Sequence, residues 1–155
     1  MISIEHHIFT EDGCKLIADL DINSDKTLTH KLRWQSFSGK FNFETVDKYY
    51  RIVTKARKHP IFAAEDCRVM TQDGWKLVRD LVSKEDRLGY NYTISCVDQF
   101  DRSPRFDTYF SDEAVFNIMI KKLELIEGKK DMICFEISGE NSFSIDGLLI
   151  GGVQC

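Results

Sequence analysis

Four acidic-Gly dipeptides, Asp12-Gly13, Asp73-Gly74, Glu127-Gly128 and Asp146-Gly147, punctuate a chain whose intervening stretches are short and rich in β-branched and aromatic residues. Dipeptides of this kind supply the backbone conformation that a tight hairpin needs, so each is read as a strand reversal. Strand-like alternation is found at residues 7–10, 50–54, 60–64, 68–71, 75–78, 92–95, 116–120, 132–137 and 142–146. The expected class is therefore all-β, with single helical turns at 17–20 and 77–81. Residues 98–113 are polar, contain one of the two prolines and read as the longest loop. No period of 20 to 50 residues repeats cleanly.

At 155 residues the chain has the length of one ordinary domain, and one domain spanning 1–155 is expected. A net charge of −4 opposes a broad phosphate-binding face, so nucleic acid is not an expected partner. The longest apolar runs, such as 147–151, are too short to span a bilayer. Cys14, Cys67, Cys96, Cys134 and Cys155 form an odd set without a CxxC pair. That disfavours a disulfide scaffold or a zinc ribbon and fits a reducing cytoplasm. His6 and His7 are adjacent on an extended strand and point to opposite faces, so they do not form a metal pair. No metal or cofactor is expected.

Three separated segments bracket the chain. The first runs from Met1 through Thr10-Glu-Asp-Gly13 to Leu20. The second runs from Ile61 through Asp73-Gly-Trp75 to Arg79-Asp-Leu81. The third runs from Met132 to Phe143 and then from Gly147 to Val153-Gln-Cys155. In this order they resemble the sequence blocks of inteins, of the hedgehog/intein (Hint) type. The resemblance implies a horseshoe-shaped β-fold in which both chain ends meet at a central cleft. It also implies single-turnover self-splicing that acts on the chain's own flanking (extein) segments, in a monomer or in one half of a split pair. No stretch resembles an inserted homing endonuclease, so the form is minimal.

The residues at the reactive places depart from that pattern. Met1 stands where a nucleophilic Cys or Ser is usual, and a thioether cannot form a thioester. In the second block Ala64 and Cys67 stand in place of Thr and His. A second register instead takes His59-Pro60 as the His-containing motif, with His59 as base. Cys134 stands at a closing-block position from which some inteins attack the upstream junction directly; read by its neighbours Ile133 and Phe135, it is equally a small buried strand residue. At the downstream end, Gln154 can cyclise through its side-chain amide and Cys155 can receive the acyl group. Without a gap after Ile150, Gly151-Gly152 instead take the His-Asn places otherwise filled by Val153-Gln154, and cyclisation is lost. A Cys at both 67 and 134 should bring the two thiols to one side of the cleft. A degenerate, non-splicing Hint module and a cleavage-only domain remain alternatives to splicing.

Overall fold

Two strands longer than anything the alternation suggests organise the sheet of this computed structural model, which describes residues 1–31, 33–55, 59–90, 116–145 and 147–153. β1 (Ile2–Ser3), β2 (His7–Thr10), β3 (Gly13–Leu16) and β4 (Lys26–Leu28) lead into β5 (Trp34–Thr54). Then follow β6 (Ile61–Ala63), β7 (Arg68–Thr71), β8 (Gly74–Leu77), β9 (Arg87–Tyr90), β10 (Phe116–Ile137), β11 (Ser142–Ile145) and β12 (Leu148–Gly151). Single 3₁₀ turns cover Ile17–Asp19 and Val78–Asp80, at the two places where helical turns are expected.

β5 and β10 pair antiparallel along nearly their whole length, from Thr54↔Ile120 to Phe37↔Ile137. Two sequence expectations change here. Glu127-Gly128 is not a hairpin: the register with β5 slips by one residue between Glu127 and Lys130, which is a bulge inside β10. The Lys121-Lys122 and Lys129-Lys130 pairs therefore lie within one strand and do not flank a turn. Residues 34–49, not read as strand, form most of β5; both faces of 38–45 are exposed, so no half-buried alternation marks them. Gly39, at φ 95°, sits at another of the three slips, between Phe37↔Ile137 and Phe41↔Phe135, where a side chain would strain the backbone. The expected strand at 92–95 and loop at 98–113 lie outside the described residues.

β1 pairs with both β10 and β6, and β6 pairs with β5, so β10, β1, β6 and β5 close a four-stranded ring. The remaining strands extend the sheet from β5 through β4, β2, β11 and β12 to β9, β7 and β8. Closure leaves few bare edges and encloses a core in which Ile2, Ile8, Val69, Leu88, Phe143 and Ile150 are fully buried.

The chain also repeats itself over an interval longer than 50 residues. β2–β3, the first 3₁₀ turn and β4 recur sixty-one positions later as β7–β8, the second turn and β9. Thr10 and Thr71 each accept from the amide two residues on and donate to a glycine carbonyl, Gly13 or Gly74, at 2.7 Å. Those glycines have φ 110° and 98°, the conformation the Asp-Gly turns predict. Asp25 binds Lys15 Nζ at 2.7 Å and the Asp21 amide at 2.9 Å. Asp86 repeats this with Lys76 at 2.8 Å and the Val82 amide at 2.7 Å. Both carboxylates are buried, and each closes its loop by satisfying an amide that would otherwise be orphaned.

Candidate active site

The ring brings β1 against Ile133 of β10 and Ala63 of β6, so Met1 is delivered beside the residues that follow each of them. Ala64 donates its amide to the Met1 carbonyl at 2.9 Å. The chain then turns, Cys67 N–H donating to the Ala64 carbonyl at 3.1 Å, which points Cys67 back toward Met1. β12 enters from the other side. Met1, Cys67, Arg68 and Cys134 thus meet the segment Gly151–Val153 around one cavity of about 300 Å³. A second cavity, about 690 Å³, opens between Met1, Ala64–Asp66 and 44–48 of β5.

The electrostatics of the first cavity follow from burial. Burial pushes the Cys134 thiol up to about 11, although the Met1 ammonium and Arg68 pull it down. Burial raises Cys67 as well, opposed by the Met1 ammonium and assisted by Asp66. For the Met1 ammonium burial acts downward, but Cys67, Cys134 and Asp66 outweigh it and raise its pKa. Both thiols are free and protonated at neutral pH.

Each of three consecutive carbonyls in the exit segment receives a side-chain donor. Cys134 Sγ lies 3.6 Å from the Gly151 oxygen, Arg68 Nη2 donates to Gly152 O at 3.0 Å, and Asn141 Nδ2 donates to Val153 O at 2.7 Å. Room for two of these donors exists because residues 151 and 152 are glycine. A Cβ at 151 would stand 2.9–3.0 Å from Arg68 side-chain atoms, and one at 152 would collide with Asn141 Oδ1 and, at 2.7 Å, with the Phe135 carbonyl. Asn141 itself takes φ 48°, which Asn tolerates better than most residues.

Of the residues the sequence singles out, Met1, Cys67 and Cys134 line this cavity together. His59 is exposed in the bend ahead of β6 and is not among its lining residues. Gln154 and Cys155 lie outside the described residues. Arg68 and Asn141 are not among the candidate residues drawn from the sequence. Their shared signal is the Gly151-Gly152 pair, a gap that other side chains must fill. His30, which receives no attention in the sequence, places Nδ1 2.7 Å from Ser142 Oγ and packs edge-on to Trp75 at 5.2 Å. Burial lowers its pKa, so the ring is neutral near pH 7. Cys14 is disulfide-bonded, against the expectation of unpaired cysteines. No helix among the described residues is long and apolar enough to cross a membrane.

No family model matches the chain, and no curated protein does. Solved structures do. A DnaB intein from Synechocystis superimposes with a TM-score of 0.72 at 16% identity, covering 99% of this chain and 98% of that one. The chain has the Hint fold of the inteins. A DnaX mini intein from Spirulina platensis gives 0.69 at 14% identity over 97% and 98% of the two chains. The gp41-1 intein gives 0.69 at 16% over 97% of each. In the Hint fold of this chain the two ends of the described polypeptide, Met1 and Val153, reach the same cavity.

Proposed function

We propose that the chain is a self-processing domain of the splicing type, acting in cis on the peptide bond ahead of Met1 with Cys134 as acyl acceptor. The observation that carries this reading is the convergence of Met1, two free thiols and the exit segment on one cavity. In the first step the Cys134 sulfur adds to the upstream carbonyl, the C–N bond to Met1 breaks, and the proton lost from sulfur ends on the Met1 nitrogen. Cys67, which interacts with that nitrogen, carries the proton between them. The products are a thioester on Cys134 and a free Met1 amine. The 690 Å³ cavity beside Met1 gives an upstream segment somewhere to lie. Downstream, Cys155 takes over the acyl group, and Gln154 attacks its own carbonyl through its side-chain nitrogen. This closes a six-membered imide and releases the Cys155 amine.

One observation favours a second reading, in which the downstream step is absent. In the alignment without a gap, residue 152 takes the cyclising place, and no side chain fits there beside Asn141. The domain would then cleave upstream only or, with Cys134 held protonated, not at all.

Mass spectrometry of the chain carrying short segments at both ends separates these outcomes. The splicing reading expects upstream release under hydroxylamine or dithiothreitol, slowed about a thousandfold or more in Cys134→Ser because a hydroxyl is far less ionised than a thiol. Downstream release should stop in Gln154→Ala. Upstream release alone, unaffected by Gln154→Ala, would select cleavage without splicing. An inert parent chain would select the non-processing module.

A further inference from the structure

We infer that Arg68 is a positioning residue shared by both chain ends: one guanidinium holds the exit segment through the Gly152 carbonyl and supplies the fixed positive charge beside the Cys67–Cys134 thiol pair. The inference rests on the proposed upstream chemistry for its importance, but its geometry stands independently.

Three features fix the guanidinium. Its Nη2 donates to Gly152 O at 3.0 Å, a charge-assisted bond. Its Cζ lies 5.6 Å from the Trp75 ring centroid, over the face. Its side chain runs flush against Gly151, where any Cβ would stand within 2.9–3.0 Å of its Cβ, Nε and Cζ. The side chain is thus sandwiched between an indole and a bare strand. Arg68 follows Cys67 in sequence and lines the same cavity as Cys134.

The charge matters because of what happens to Met1 when a segment precedes it. The Met1 ammonium and Arg68 are the two positive groups that pull the Cys134 thiol down. In a chain continued upstream the Met1 nitrogen is an uncharged amide, and of these two groups only Arg68 remains to favour a thiolate. The opposing carboxylate is Asp66, which is mostly exposed and therefore well screened. A guanidinium stays charged across the whole working range, unlike a histidine, so this support does not switch off as pH rises.

Two substitutions test the assignment from opposite sides. Arg68→Met keeps the stem on Trp75 and removes the charge and the donor. Gly151→Ala leaves the arginine intact and drives it off the strand. Two measurements use the chain without flanking segments: the carbonyl ¹³C shift of Gly152, and the pH midpoint for alkylation of Cys134. Arg68→Met should shift the Gly152 carbonyl and raise the Cys134 midpoint by roughly half a unit or more, and Arg68→Lys should restore the midpoint but not the carbonyl shift. Gly151→Ala should reproduce the carbonyl change, and it carries the test if Arg68→Met does not fold. In the flanked chain both Arg68→Met and Gly151→Ala should slow upstream release about tenfold. A folded Arg68→Met or Gly151→Ala variant with the Gly152 shift and the Cys134 midpoint unchanged overturns the inference. An inert flanked parent, with those two readouts moving as described, instead overturns the proposed processing and leaves Arg68 in place.

Discussion

The stretch from His7 to Leu28 and the stretch from Arg68 to Gly89 share a frame, and they differ in what the turn ahead of each one holds. Ahead of the first, His6 N–H donates to Ser3 O at 3.3 Å and Ile17 N–H to His6 O at 3.2 Å. Ahead of the second, Cys67 N–H donates to Ala64 O at 3.1 Å and Val78 N–H to Cys67 O at 2.8 Å. The backbone is the same device used twice. In the first copy the side chain closes on an internal amide, His6 Nε2 accepting from Phe62 N–H at 3.0 Å, with the two rings stacked at 5.9 Å. In the second copy the equivalent side chain, Cys67, meets Met1 at the head of the chain. A duplicated turn thus presents one side chain to a bond that stays intact and the other to the bond proposed to be exchanged. The difference lies in the topology around the turn, not in the turn itself.

That comparison can be broken most decisively by a pair of substitutions with opposite signatures. In the flanked chain, Cys67→Ala should slow upstream release by about a hundredfold through loss of the proton carrier, with little change in stability. His6→Ala should leave the rate per folded molecule unchanged and lower stability by about 1 kcal/mol, since it strands a part-buried amide. Equal rate losses in the two variants would erase the distinction between the copies.

A smaller effect sharpens the claim that the frames are equivalent. Asp25→Asn and Asp86→Asn should each cost about 2 kcal/mol in a urea melt at pH 7, because each loses a buried carboxylate bound to a lysine and a loop amide. Asp86 adds a pH signature. Burial alone would raise its pKa, but Lys76, the Val82 amide and Gln72 hold it below the usual carboxylate range. A carboxylate depressed in the folded state adds stability above its unfolded pKa of about 4, and that contribution is lost as pH falls through the lower folded value. The deficit of Asp86→Asn should therefore shrink as the pH falls below about 4. A deficit that grows on acidification would contradict the assignment. Smallest of all, Gly13→Ala and Gly74→Ala should cost about 1 kcal/mol each and by similar amounts, both glycines holding positive φ.

The same frame explains what was readable in the sequence. Both Asp-Gly hairpins are visible because turn chemistry and period-two alternation coincide there, and the 3₁₀ turns because Ile17 and Val78 each begin a compact apolar step. β5 was hidden by its exposure on both faces from 38 to 45, where burial imposes no pattern. β10 reads as two strands because Glu127-Gly128 has the composition of a turn, while the long pairing with β5 overrides it as a bulge. At the site, Cys67 and Cys134 were found through the resemblance and not through any local signal. Arg68 could not be found that way, since its position depends on a strand more than eighty residues away being bare of side chains. Physical contact between distant segments of this kind leaves no periodicity to detect.

The position of β1 has a consequence in time. Its two residues pair with Ile133 and Met132 on one side and Ala63 on the other. The head of the chain therefore meets β6 first but is enclosed on both sides only when a partner some 130 residues later exists, and forming that contact carries the slow closure of a very long loop. During synthesis a bond ahead of Met1 would wait in an unfinished protein, without Cys134 beside it. Pairing with β10 is what brings Cys134 to the first residue, so a reaction at Met1 would be timed by the assembly of the domain and not by any external trigger.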